Sequence, residues 1–164
     1  MKTFITFFSV LFLCFQGQAQ LKKTITCPDI NIDILGGSIN KNIFPTSTVG
    51  QIKLNIPCFT SFQEDTTTAG CGGNVMYKDK DVYFYTGRDY VEIGPAFKGK
   101  LSIPLIGASR NDLFKWLGAP QIKDITWDAF QTQYGILILY YDKDNKVNKI
   151  QFSTQTANTI HLCE

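Results

Sequence analysis

Residues 109–153 constrain this chain most: they read as a short capped helix, a Leu-Gly-Ala-Pro stop and three strands joined by tight turns. Ser109 is placed to N-cap, and Asp112, three residues on, to return the hydrogen bond and put negative charge in the first turn. Leu113, Phe114, Trp116 and Leu117 give an apolar stripe at helical spacing. Gly118 suits a left-handed position just past the helix, and Pro120 blocks continuation. So short a helix is unstable alone and must pack on a surface. Three predicted strands supply it: 125–130, 136–141 and 147–153. The unbroken run Ile136-Leu137-Ile138-Leu139 marks a strand buried on both faces, hence the central one. In the third strand Ile150 and Phe152 share a face, and a one-residue slip would expose both.

A fainter version of the same order lies upstream, over residues 46–93. Ser47 and Thr48 offer an N-cap, Val49, Ile52 and Ile56 keep helical spacing, Gly50 weakens the helix and Pro57 ends it. Strands follow at 75–77, 82–85 and 90–93, separated by turn residues. Before them, residues 30–34 and 39–44 are strand material around a Gly36-Gly37 turn. The expected fold class is α+β: two helix-plus-antiparallel-meander halves, a weak half-repeat over 46–93 and a strong one over 107–153. Their helices should form a layer on an antiparallel sheet, within one domain of residues 20–164.

Residues 1–19 carry the pattern of an export signal: Lys2, an apolar stretch over 4–15, then Gly17-Gln18-Ala19 before a cut that leaves Gln20 first. The apolar stretch is short for a bilayer span, so no stable membrane insertion is expected once it is removed. Leu13 before Cys14 departs from a lipoprotein signal. Of the five cysteines, loss of Cys14 leaves an even set, Cys27, Cys58, Cys71 and Cys163, in a chain bound for an oxidising compartment. The short, loop-like spacing favours Cys58 with Cys71. Cys27 with Cys163 would then close a long loop, worth about 4–5 kcal/mol in chain entropy. Zinc is disfavoured by the absence of any Cys-x-x-Cys pair and by a single histidine.

A 44% hydrophobic and 13% aromatic chain is not disordered, and a net charge of +2 with scattered lysines points away from nucleic acid. His161, the lone histidine, lacks a nucleophile and an orienting partner in sequence. Residues 142–146 start like a calcium loop, but Lys146 falls on a ligand position and Ser153 where a bidentate Glu belongs, so they are a hairpin turn. Gly70-Cys71-Gly72-Gly73 has no following Lys-Ser/Thr pair and is not a phosphate loop. Asp79, Asp81, Asp89 and Glu92 surround one hairpin. Paired across a cleft they could hydrolyse glycosides; on turns they are solvated. No catalytic residue, metal or cofactor is assigned.

Gly107-Ala108-Ser109, Leu113-Phe114-Lys115-Trp116-Leu117-Gly118-Ala119-Pro120, Trp127 and Leu139-Tyr140-Tyr141 before Lys146-Val147 resemble the small outer-membrane assembly lipoproteins of the SmpA/OmlA type. The tandem arrangement is similar to the β-lactamase inhibitor protein fold. The resemblance implies helices packed on an antiparallel sheet and a role in binding other proteins without catalysis.

The aromatic residues point the same way. Tyr83, Phe84, Tyr85 and Tyr90 lie on one hairpin, and Trp127, Phe130, Tyr134, Tyr140 and Tyr141 on the other, and a strand must send some rings to each face. One face meets the helices. The other is either covered by the N-terminal segment or exposed, where Tyr and Trp anchor interfaces. The candidate protein-binding residues are Tyr83, Tyr85, Tyr90, Trp127, Tyr134 and Tyr141. The expected function is a non-enzymatic, periplasmic or secreted module that binds a protein partner. An inhibitor or immunity-type role, a small envelope hydrolase using the acidic hairpin and a purely structural envelope component are the alternatives.

Overall fold

A computed structural model describes residues 26–65 and 72–160. The export signal, Cys71, His161 and Cys163 lie outside the described residues. The strands are β1 (Asn31–Asp33), β2 (Ser38–Ile39), β3 (Ser61–Gln63), β4 (Asn74–Tyr77), β5 (Val82–Tyr85), β6 (Tyr90–Ile93), β7 (Lys100–Leu101), β8 (Ile122–Lys123), β9 (Trp127–Gln131), β10 (Ile136–Tyr141) and β11 (Val147–Ser153). Two α-helices interrupt them, α1 (Val49–Asn55) and α2 (Phe114–Leu117).

Eight strands form one antiparallel sheet in the order β3-β4-β5-β6-β11-β10-β9-β8. It consists of two four-stranded meanders, each preceded by a helix, joined where β6 pairs with β11 (Ile93 opposite Ile150, Val91 opposite Phe152). A second sheet, β2-β1-β7, pairs β1 and β7 in parallel. Residues opposite one another share a face, so Val75, Phe84, Val91, Phe152, Leu137 and Phe130 make one continuous inner row. A parallel inner row runs through Tyr77, Val82, Ile93, Ile150 and Leu139. Over these rows pack Val49 and Ile52 from α1, Ile56 just after it, Ile32 and Ile39 of the small sheet, and Ile103, Leu105 and Leu113 from the connection.

The expected helical layer is absent, and the fold class is corrected to two β-sheets with two short helices. The capped helix fails at its start. Ser109 makes no side-chain cap, because residues 107–110 are drawn out against the start of β11: Gly107 N donates to Val147 O, Val147 N to Ala108 O and Arg110 N to Asn145 O. A 3-10 turn at Arg110–Asp112 follows, and α2 then lasts four residues. Gly118 ends it at φ 71°, ψ −153°, backbone that is essentially glycine's alone. In α1 the cap is complete: Gln51 N donates to the Thr48 hydroxyl, and Thr48 N to the Gln51 side chain.

Both expected cysteine pairings are also corrected, because Cys27 is bonded to Cys58. A cysteine forms one disulfide, so with Cys58 taken by Cys27 neither Cys58–Cys71 nor Cys27–Cys163 can form. The observed bond ties the lead into β1 to the loop after α1.

Candidate functional site

The sheet's other side carries a different composition. One outer row runs Met76, Tyr83, Glu92, Gln151, Ile138, Ala129 and a second Asn74, Tyr85, Tyr90, Ser153, Ile136, Gln131. Tyr140 stands between Lys149 and Trp127 in a third. Alternation along each strand puts these residues here by the same phase that buries Val75, Phe84 and Val91 opposite.

At the β4–β6 end, Met76, Tyr83 and Tyr85 are half-buried and belong to neither apolar cluster of the fold. Tyr85 stacks on Tyr90, ring centroids 4.5 Å apart, and Tyr90 is buried beneath it. Tyr83 donates to Asp81 Oδ1 at 3.0 Å. Desolvation, then that hydrogen bond and the charges of Asp81 and Glu92, raise the Tyr83 phenol's pKa; desolvation and Glu92 raise that of Tyr85. Both rings therefore stay neutral hydrogen-bonding groups at physiological pH. In the middle of the face, Tyr140 Oη donates to Gln151 Oε1 (2.8 Å) and Gln151 Nε2 to Glu92 Oε2 (2.7 Å). Lys149 lies 4.2 Å from the Tyr140 ring centroid and 3.8 Å from Glu92. The chain satisfies its own charges here, leaving half-buried aromatic rings with a polar tip to each.

At the β9–β10 end the face is roofed. Ala129, Ile136 and Ile138 form a small second cluster with Trp127, Tyr140, Ala157 and Ile160 packed on it. The cover comes from the C-terminal segment, where the N-terminal one was the expected alternative.

Of the six expected binding residues, Tyr83, Tyr85 and Trp127 are half-buried on the outer face, and Tyr90 is beneath Tyr85. The other two are on the inner side. Tyr134 packs edge-on to Phe152 (6.0 Å) and fills the space beside Gly37, whose φ of +66° and open Cα admit the ring. Tyr141 is buried, donates to Asp128 Oδ2 at 2.7 Å and lies under the Arg110 guanidinium at 4.6 Å. Burial, reinforced by Asp128, pushes the Tyr141 phenol above its usual range.

Tyr140 was expected among the aromatics and Glu92 among the acids, but neither was a candidate binding residue, and Met76, Gln151 and Lys149 carried no expectation. Tyr140 shares a phase with Ile136 and Ile138, but in a strand apolar on both sides phase alone does not say which neighbour faces out. Arg110 and Asp128 escaped the sequence reading too: the guanidinium forks onto both carboxylate oxygens and reaches the carbonyls of Asp124 and Ile125. Asp128, in phase with Phe130 and flanked by Trp127 and Ala129, was the available signal, since a buried carboxylate requires a partner.

The acidic hairpin does not converge. Asp81 and Asp89 flank opposite ends of the β5–β6 pair, because Val82 faces Ile93 while Tyr85 faces Tyr90. Asp81 also accepts from Ala96 N and the Tyr83 hydroxyl, and Glu92 is held by Gln151. Burial raises the Asp89 carboxyl. At residues 142–146 the Asp142 carboxylate accepts from Asp144 N and Lys146 N, closing a hairpin. Among the described residues no group of three His, Cys, Asp or Glu is placed to hold a metal, and no helix is long and apolar enough to cross a membrane.

Among the described residues, three grooves are lined chiefly by residues off the outer rows. One of about 780 Å³ runs along the small sheet, lined by Asn31, Asp33, Asn40 and Lys100 among others; two smaller ones flank α2 and share Phe130. No family model, curated protein or solved structure matches the chain.

Proposed function

We propose that this is an exported, non-enzymatic module of the bacterial cell envelope that binds a protein partner through the outer face of its eight-stranded sheet. The carrying observation is the β4–β6 end of that face, where Met76, Tyr83 and Tyr85 stand together outside both apolar clusters. Rigid rings with few rotatable bonds and a hydroxyl at the tip give contact area at low entropic cost. A flat strand surface suits protein docking better than the enclosure of a small molecule. The Cys27–Cys58 bond is consistent with an oxidising compartment, and the signal-like residues 1–19 agree with export to the periplasm or beyond. The likeness to the SmpA/OmlA and β-lactamase inhibitor proteins belongs to this reading as one of binding role.

The test is capture from native envelope extract by immobilised protein. The double variant Tyr83→Ala/Tyr85→Ala is expected to lose its captured partner while the melting temperature falls by only a few degrees, as for partly exposed side chains. Unaltered capture by the double variant overturns the proposal.

A further inference from the structure

The roof over the β9–β10 end is built differently from the rest of the fold. At the end of β11, Ser153 Oγ donates to Asp89 O, Gln155 N donates to Ser153 Oγ, and Gln155 Nε2 donates to Arg88 O at 3.0 Å. From Thr156 the chain makes one turn closed on itself: Thr159 N and Ile160 N both donate to Thr156 O, and the two threonine hydroxyls meet at 3.1 Å. Among the described residues no main-chain hydrogen bond joins 156–160 to a strand. Ala157 and Ile160 alone supply its apolar contact with Ala129, Ile136 and Ile138. Those three are nevertheless almost wholly buried, at 0%, 1% and 4% exposure, so lifting the turn would bare a branched aliphatic patch beside Trp127 and Tyr140. A segment with few apolar contacts and no ladder bonds opens at much lower free energy than the sheet below it.

We propose that residues 154–160 are a displaceable strap that covers the Trp127 end of the docking face and limits how much of that face a partner can reach. This rests on the outer face being the docking surface. Closed, the strap leaves Met76, Tyr83 and Tyr85 available. Open, it extends the face through Ile136 and Ile138 to Trp127 along the outer rows.

Hydrogen exchange on the free protein tests the strap without any partner. The amides of Thr159 and Ile160 are expected to exchange at least about 100-fold faster than those of Leu137 and Leu139, as for a locally opening segment over a core strand. In a Trp116→Phe background, which leaves Trp127 as the reporter, Ile160→Asp should shift tryptophan emission to the red with the cooperative melt retained. Protection at Ile160 equal to that of Leu139, or loss of the cooperative melt in Ile160→Asp, overturns the strap. With the strap shown open, capture from envelope extract should rise; unchanged capture overturns its gating role. Loss of capture in Tyr83→Ala/Tyr85→Ala is a separate result, so the docking reading survives or falls independently.

Discussion

Asp128 is the one buried charged side chain among the described residues. It faces the inner side opposite Leu139, 3% exposed, and is tolerable there only because Arg110 forks onto it and Tyr141 donates to it. Arg110 in turn fixes the extended approach to α2. Removing the cation leaves a buried carboxylate unpaired, so Arg110→Ala should cost about 3 kcal/mol or more in denaturant unfolding. Arg110→Lys should recover little, because an ammonium cannot make the fork. A loss below about 1 kcal/mol, the range of exposed pairs, would show that the contact is ornamental. Residue-scale signals were partly legible in the sequence. An aspartate in phase with Phe130 asks for a partner, but nothing local names Arg110, 18 positions away. Likewise Tyr140 and Tyr141 are chemically alike in sequence, and only the tertiary packing sends one outward and the other onto Asp128.

Among the elements, the strands with clear alternation or turn punctuation were legible. Predicted 82–85, 90–93, 136–141 and 147–153 coincide with β5, β6, β10 and β11, since each has enough apolar residues to fix its own phase. Two kinds of element were not. The predicted helix after Ser109 shortened to a single turn because main-chain bonds from 107–110 to the start of β11, invisible in local sequence, compete with capping. In the small sheet β1 falls within the expected 30–34, across the Gly36-Gly37 turn from β2, but β7 is too short to show a period and its parallel pairing with β1 leaves no mark at all. The disulfide joins these weakly specified parts, closing a loop with a sequence separation of 31. Chain entropy assigns it about 3–4 kcal/mol, so Cys27→Ala/Cys58→Ala should lower unfolding free energy by roughly that amount. With Cys27 and Cys58 joined, Cys71 and Cys163 are the remaining pair, and non-reducing peptide mapping should return both bridges and no free thiol. A Cys58–Cys71 peptide would contradict the Cys27–Cys58 bond.

For the whole molecule, the two meanders meet at β6 and β11 to give one broad sheet with two unlike sides. The inner side is sealed by α1, the small sheet and the 103–113 connection, and its aromatic residues Tyr77, Phe84, Phe130, Tyr134, Tyr141 and Phe152 are structural. The outer side divides into an aromatic end and an end roofed by the chain's own C-terminal turn. That sidedness was legible only as a question in the sequence, because each aromatic run had to present rings both ways. Its resolution needed the register of all eight strands. The claim that the outer side is where a partner docks is tested most directly by site-specific photocrosslinking in native envelope extract. A benzophenone side chain at Met76, on the outer face, is compared with one at Leu54, 83% exposed on α1 over the inner side. A discrete protein adduct is expected from position 76 and none from position 54. An adduct from position 54 with none from position 76 would contradict it.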